Sequence, residues 1–128
     1  ETPADLENHA CLVYSNLADP NRWSYTDGNG KQQTVEVNAV MTASSGDFLA
    51  NAAAHGMGLV IQPTFIASEA IRRGNLVPVL TEYDWPITPA YAVYPPTRHL
   101  SYRVRAFIDF LADRFSGTPQ WDRDCERC

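Results

Sequence analysis

The run from Ser44 to Pro63, Ser-Ser-Gly-Asp-Phe-Leu-Ala-Asn-Ala-Ala-Ala-His-Gly-Met-Gly-Leu-Val-Ile-Gln-Pro, constrains the fold more than any other. Ser44 and Ser45 carry hydroxyls that can accept from the free N–H groups of a first helical turn. Asp47 follows where the helix dipole favours a carboxylate. Phe48, Leu49, Ala52 and Ala53 recur at three- and four-residue spacing, so one helix face is apolar and seeks a sheet. Gly56 stands where helices commonly end in a left-handed residue. Leu59-Val60-Ile61 is then an uninterrupted apolar run, the pattern of a strand covered on both faces. Pro63, which cannot donate to a ladder, closes it. The predicted unit is helix, sharp turn, central strand. A chain built around it is α/β.

The flanks extend that reading. Pro3-Ala4-Asp5-Leu6 is an entry turn to a strand over Ala10–Tyr14, and residues 15–21 are a polar connection rich in turn formers. Trp23-Ser24-Tyr25 and Thr34-Val35-Glu36-Val37 alternate on either side of Asp27-Gly28-Asn29-Gly30, a strong hairpin signal. Residues 38–42 continue as an apolar strand into the opening helix. Thr64 is placed to cap a second short helix, with Phe65, Ile66, Ala70 and Ile71 on one face. Arg72 and Arg73 lie in its last turn and Gly74 stops it. Residues 76–80 are a predicted strand held to an edge by Pro78, and residues 91–94 another, stopped by Pro95-Pro96. Between them, Trp85-Pro86 and Pro89 mark an irregular loop. Ser101 caps the longest helix, which carries Val104, Phe107, Ile108, Leu111 and Phe115 on one stripe, and residues 116–119 end it. The expected architecture is a three-layer α/β lobe, a central mixed sheet of five or so strands flanked by helices.

Composition narrows the function classes. The 128 residues suffice for one domain with its own core. A net charge of -5 argues against broad electrostatic binding to nucleic acid by this piece. No apolar run approaches the roughly 20 residues that a bilayer requires. No export signal is visible at the front, and a chain opening with Glu1 reads as a piece of a longer protein. Cys11 lies in an apolar run and is expected to be a buried thiol. Cys125 and Cys128 form a lone C-x-x-C in the tail, without the second ligand pair that zinc needs. Free thiols of this kind suit a reducing, cytoplasmic compartment.

Catalytic and cofactor motifs do not assemble. Gly56-Met57-Gly58 runs helix, glycines, strand, the reverse of a dinucleotide fingerprint, and would set a phosphate against the wrong pole of a helix dipole. His9, His55 and His99 are scattered, with no metal spacing among them. Asp109 and Asp113 share the polar side of one helix. Neither an enzyme nor a cofactor is expected.

A pocket edge does assemble. In open α/β sheets, ligands gather beyond the carboxyl ends of the strands. Three such ends carry small polar residues: Ser15 and Asn16 after the first strand, Thr42 with Ser44 and Ser45 before the first helix, and Thr64 before the second. Hydroxyls beside free N–H groups suit a carboxylate or another small polar group.

The ordered set of motifs resembles LysR-type transcriptional regulators. The resemblance rests on Pro3-Ala4-Asp5-Leu6 with His9 and Cys11-Leu12, Ser45-Gly46-Asp47 with its alanine-rich helix, and Gly56-Met57-Gly58 with Pro63. It continues through Gly74-Asn75-Leu76-Val77-Pro78-Val79-Leu80, Tyr91-Ala92-Val93-Tyr94-Pro95 and Arg98-His99-Leu100-Ser101 into the last helix. It covers residues 1–116, an effector-binding lobe, and leaves 117–128 as a C-terminal tail. The resemblance implies the second lobe of a regulatory domain akin to type 2 periplasmic binding proteins, with the return strand and helix. It also implies a small-molecule effector held by Ser15, Asn16, Thr42, Ser44, Ser45 and Thr64, and DNA contact only through a winged helix-turn-helix outside this chain. The stripe on the last helix would face the first lobe, so self-association or folding back onto its own lobe is expected here. A solute-binding lobe of a transport system is the alternative.

Overall fold

The structure, a computed structural model, describes residues 2–87, 89–94 and 101–123. A 3-10 turn, Pro3–Asn8, buries Pro3 and Leu6 and delivers the chain to β1, Ala10–Tyr14. β2 (Arg22–Thr26) and β3 (Gln32–Glu36) follow, then β4 (Asn38–Ala43), α1 (Gly46–Ala54), β5 (Leu59–Val60) and α2 (Thr64–Arg72). After an extended stretch come α3, Tyr102–Arg114, and the short α4, Gln120–Arg123.

The strands form two sheets among the described residues, where one mixed sheet of about five strands was expected. β4, β1 and β5 make a parallel sheet in that order, and β2 and β3 pair as a separate antiparallel hairpin. The strand in the middle is therefore β1, not the Leu59 run. Cys11, Leu12 and Val13 are at most 1% exposed, whereas β5 is a two-residue edge and Ile61 is 38% exposed. The register puts Ala10 beside Asn38 and Tyr14 beside Ala43, with a bulge that leaves Val40 out between the Cys11 and Leu12 pairings. Because side chains alternate across a strand, β1 feeds two cores. Cys11 and Val13 pack with Leu6, Trp23, Val35 and Val37, which seats the hairpin on one face. Leu12 packs with Leu49 and Ala52, which seats α1 on the other.

Residues 76–80 and 91–94 are not strands in the structure. Pro78 removes a ladder donor, and Leu80 takes a φ of 56°, a left-handed turn that no strand contains. From there the chain is clipped onto the hairpin: Thr26 and Asp84 exchange backbone hydrogen bonds of 2.8 and 3.1 Å. Pro95, Pro96, Arg98, His99, Leu100, Cys125 and Cys128 lie outside the described residues.

Both short helices end in the same way, and their glycines are the reason. Gly56 (φ 79°) donates to the Ala53 carbonyl and Met57 to that of Ala52, while Gly74 (φ 75°) and Asn75 repeat the arrangement on Ile71 and Ala70. Each is a reversed pair of bonds that satisfies the last carbonyls and turns the chain back. His55 is the C-cap of α1 and its Nδ1 lies 2.8 Å from the Asn51 carbonyl, so it serves the helix end.

Candidate functional site

Since β4, β1 and β5 run parallel, their carboxyl ends meet at one edge, and α1 and α2 both begin there. The two helix starts are drawn together by Gly46. A Cβ on that residue would stand 2.7 Å from Gln62 Oε1 and 2.7 Å from Ile66 Cδ1, so a bare α-carbon leaves room for the Gln62 amide and the Ile66 side-chain end to sit against the start of α1. Gly58 has the matching role on the other side of α1: a Cβ there would meet the Ala10 carbonyl oxygen at 2.4 Å, which is how β5 reaches β1.

The polar groups at this edge are arranged as follows. Ser45 is the N-cap of α1; its Oγ accepts from the Phe48 N–H at 3.2 Å and keeps its own O–H proton to donate outward. The Ser45 carbonyl takes the Leu49 N–H, which leaves the N–H groups of Gly46 and Asp47 without an intrahelical acceptor. Ser44 is exposed beside them. Pro63, not Thr64, is the N-cap of α2, because the Ile66 and Ala67 N–H groups bond to the Pro63 carbonyl. Thr64 is the first residue within the helix, so its hydroxyl is not spent on a cap.

Ser15 and Asn16 stand at the end of β1. Ser15 N–H donates to the Ala43 carbonyl at 3.0 Å, which ties this turn to the end of β4. Ser15 Oγ donates to Asn16 Oδ1 at 3.3 Å, and Asn16 Nδ2 donates to the Tyr14 hydroxyl at 3.1 Å, forming a small exposed relay. Thr42 is set apart from the others. Paired with Val13, it lies on the hairpin face of the sheet, opposite the face where Met41 and Ala43 pack under α1. Sequence reasoning missed Gln62 and Gly46; a glutamine one residue after an apolar run and a glycine opening a helix were the available signals.

Charge differs between the two helix starts. Asp47 occupies the first turn of α1, whereas the first turn of α2 has no acidic residue and its one carboxylate, Glu69, pairs with Arg72 and Arg73 at the far end. A bound anion is therefore better placed at α2. Among the described residues no group of three His, Cys, Asp or Glu is placed to hold a metal ion, and no helix is long and apolar enough to cross a membrane.

A parallel α/β lobe with two helix starts converging on the carboxyl edge of its sheet is the architecture of a ligand-binding domain. Residues 1–116 match the family described as the LysR substrate binding domain. The chain belongs to that family, one of binding domains and not of catalysts. It is 31% identical over 114 residues to the HTH-type transcriptional regulator CrgA of Neisseria meningitidis serogroup B, covering 88% of this chain and 38% of that protein. An uncharacterized HTH-type transcriptional regulator of Haemophilus influenzae is 34% identical over 104 residues, 81% of this chain and 36% of that one. The chain thus spans well under half the length of these relatives. The structure of the CrgA regulatory domain from Neisseria meningitidis superposes with a TM-score of 0.66 at 31% identity, over 85% of this chain and 53% of that one. The regulatory domain of AphB in Vibrio vulnificus gives a TM-score of 0.63 at 22% identity, over 85% and 54%, a likeness of fold.

Proposed function

We propose that this chain is the effector-sensing lobe of a LysR-type transcriptional regulator, with residues 1–116 forming the lobe and 117–128 a tail. The observation that carries the reading is the convergence of the α1 and α2 starts across Gly46 and Gln62, at the open edge of a parallel sheet. A small carboxylate is the favoured effector class. Its charge sits at the first turn of α2 with Thr64, where no acidic side chain competes, and its neutral polar part faces the donors of Ser44, Ser45 and Gln62 at α1. Ser15 and Asn16 form the third wall, and Thr42 borders it from the opposite face.

In the parent protein this lobe closes against a first lobe, as the two lobes of type 2 periplasmic binding proteins do, and DNA is contacted by a separate winged helix-turn-helix. The protein acts in the cytoplasm and takes no cofactor. The exposed stripe of α3 serves contacts beyond the lobe, whether to the first lobe or to a second copy. A transporter's solute-binding lobe is the second reading, and the CrgA-type relatives favour the regulator.

The test is thermal unfolding of the parent two-lobe protein against a panel of small carboxylates and aromatic acids. A ligand at 100 times its dissociation constant adds about 2.7 kcal/mol to the state it binds. A stabilising shift that is lost on Thr64→Val, and weakened by Ser44→Ala, supports the assignment. A shift untouched by both substitutions places the ligand elsewhere.

A further inference from the structure

α3 does not pack extensively on any other helix or strand among the described residues, and its apolar side is open: Val104 is 40% and Phe107 60% exposed. Yet its end is held. Gly117, at φ 71°, turns the chain back, and α4 then lies along α2. Trp121 stands between the two longer helices, its ring 5.9 Å from Phe115 at the end of α3 and 6.1 Å from Phe65 in the first turn of α2. Arg114 Nη2 donates to Gln120 Oε1, and Arg123 Nε donates to the Thr118 carbonyl at 2.8 Å, so the turn is closed from both sides.

One atom in this joint works against it. Asp122 Oδ1 is buried and has no hydrogen-bond partner among the described residues. Burying a carboxylate oxygen unpaired is unfavourable, which opposes the gain from the aromatic contacts.

We propose that residues 118–123 are a releasable strap: Trp121 fastens the end of α3 to the first turn of α2, and the buried, unpartnered Oδ1 of Asp122 weakens the fastening. Releasing it frees α3 to move away from the lobe, together with the Phe65 turn of α2. The mechanism requires two opposite mutational effects at neighbouring positions. That requirement separates a strap from a merely structural contact.

Limited trypsin digestion of the 128-residue chain reads the joint, with cleavage after Arg114 as the signal and cleavage after Lys31, in the distant hairpin loop, as the internal reference. Trp121→Ala removes both ring contacts and accelerates cleavage after Arg114 about tenfold, leaving Lys31 unchanged. Asp122→Ala removes the unpaired carboxylate and slows the same cleavage about threefold or more. Equal rates in the native chain and in either variant overturn the proposal, as does an acceleration by Asp122→Ala. Should Trp121→Ala raise cleavage at Lys31 as much as at Arg114, the whole chain has loosened and Asp122→Ala decides alone: slower cleavage supports the strap, any other result overturns it.

Discussion

The Trp85 indole N–H donates to the backbone carbonyl of Leu80 at 3.1 Å, and Leu80 is the one non-glycine residue among those described with positive φ. The left-handed conformation of Leu80 carries a cost, of order 1 kcal/mol for such a residue. Trp85 offsets it, since the same indole packs 5.7 Å from Tyr25 and against the hairpin core. Trp85→Phe keeps a ring against Tyr25 but leaves the Leu80 carbonyl one donor short. We expect a loss of about 1 kcal/mol in urea denaturation for Phe and roughly 3 kcal/mol for Ala. A Phe variant as stable as the native chain would show that the hydrogen bond contributes nothing.

Two glycines should respond in opposite ways to alanine. At Gly46 the added methyl meets only the ends of two flexible side chains, Gln62 and Ile66, which can swing aside. At this first helical position the propensity gain is only a part of the roughly 1 kcal/mol found in helix interiors. Gly46→Ala should therefore fold with unchanged or slightly raised stability while unseating Gln62. At Gly58 the methyl meets backbone, the Ala10 carbonyl, so Gly58→Ala should lose about 3 kcal/mol or more by displacing β5. Paired melting curves check both signs.

Capping separates Ser45 from Ser44. Ser45→Ala removes the acceptor of the Phe48 N–H and should cost about 1 kcal/mol. Ser44→Ala, at an exposed position with no cap to lose, should fall within about 0.5 kcal/mol of the native chain. If the two losses are equal, the geometry at the start of α1 is not the one described.

The hairpin loop is sensitive to acid. Asp27 Oδ1 accepts from the backbone N–H groups of Lys31 at 3.0 Å and Asn29 at 2.9 Å, and these bonds hold its carboxyl below the usual carboxylate range. A depressed folded-state value means that the stabilisation is complete above about pH 5 and declines as pH falls through that value. Asp27→Asn, which cannot ionise, should melt lower at neutral pH, and the gap to the native chain should narrow towards pH 3. A constant gap across that range would remove the charge from the account.

Cys11 should be chemically silent. Burial pushes its thiol upward, and its Sγ lies under the Leu6 carbonyl at 3.7 Å in the middle of the sheet. Alkylation of Cys11, followed by peptide mass mapping, should be at least about a thousandfold slower in the native chain than in denaturant. Rapid labelling would mean that β1 opens readily.

Local patterns were legible where one residue type answers a local demand. The β1 span, the Asp27–Gly30 hairpin, the Ser45 and Ser101 caps and the Gly56 and Gly74 stops all depend on neighbours a few residues away, and each stands in the structure as read. Thr64 shows the limit of such signals. A capping residue type was present, but Pro63 has the extended backbone and the bonded carbonyl, so the hydroxyl one residue later was left over. The apolar run at 59–61 does form a strand, but at the sheet edge and not its centre, and those at 76–80 and 91–94 form none, for a related reason: an apolar run shows an affinity for a core, not which neighbour supplies one.

What the amino-acid order determined by itself was the three longer helices, the Gly56 and Gly74 stops, the hairpin turn and the span of β1, because propensity, capping and glycine geometry act within a turn or two of chain. Only the tertiary structure decided that β1 and not β5 is central, that the hairpin stands as its own sheet, and that Thr42 lies on the far face from Ser45. It also decided that Gly46 admits Gln62 between the two helix starts, and that Trp121 joins Phe65 and Phe115, two rings far apart in the chain. Those outcomes rest on packing between segments distant in sequence, where the deciding quantity is the space left between surfaces, and that space exists only once the chain has folded.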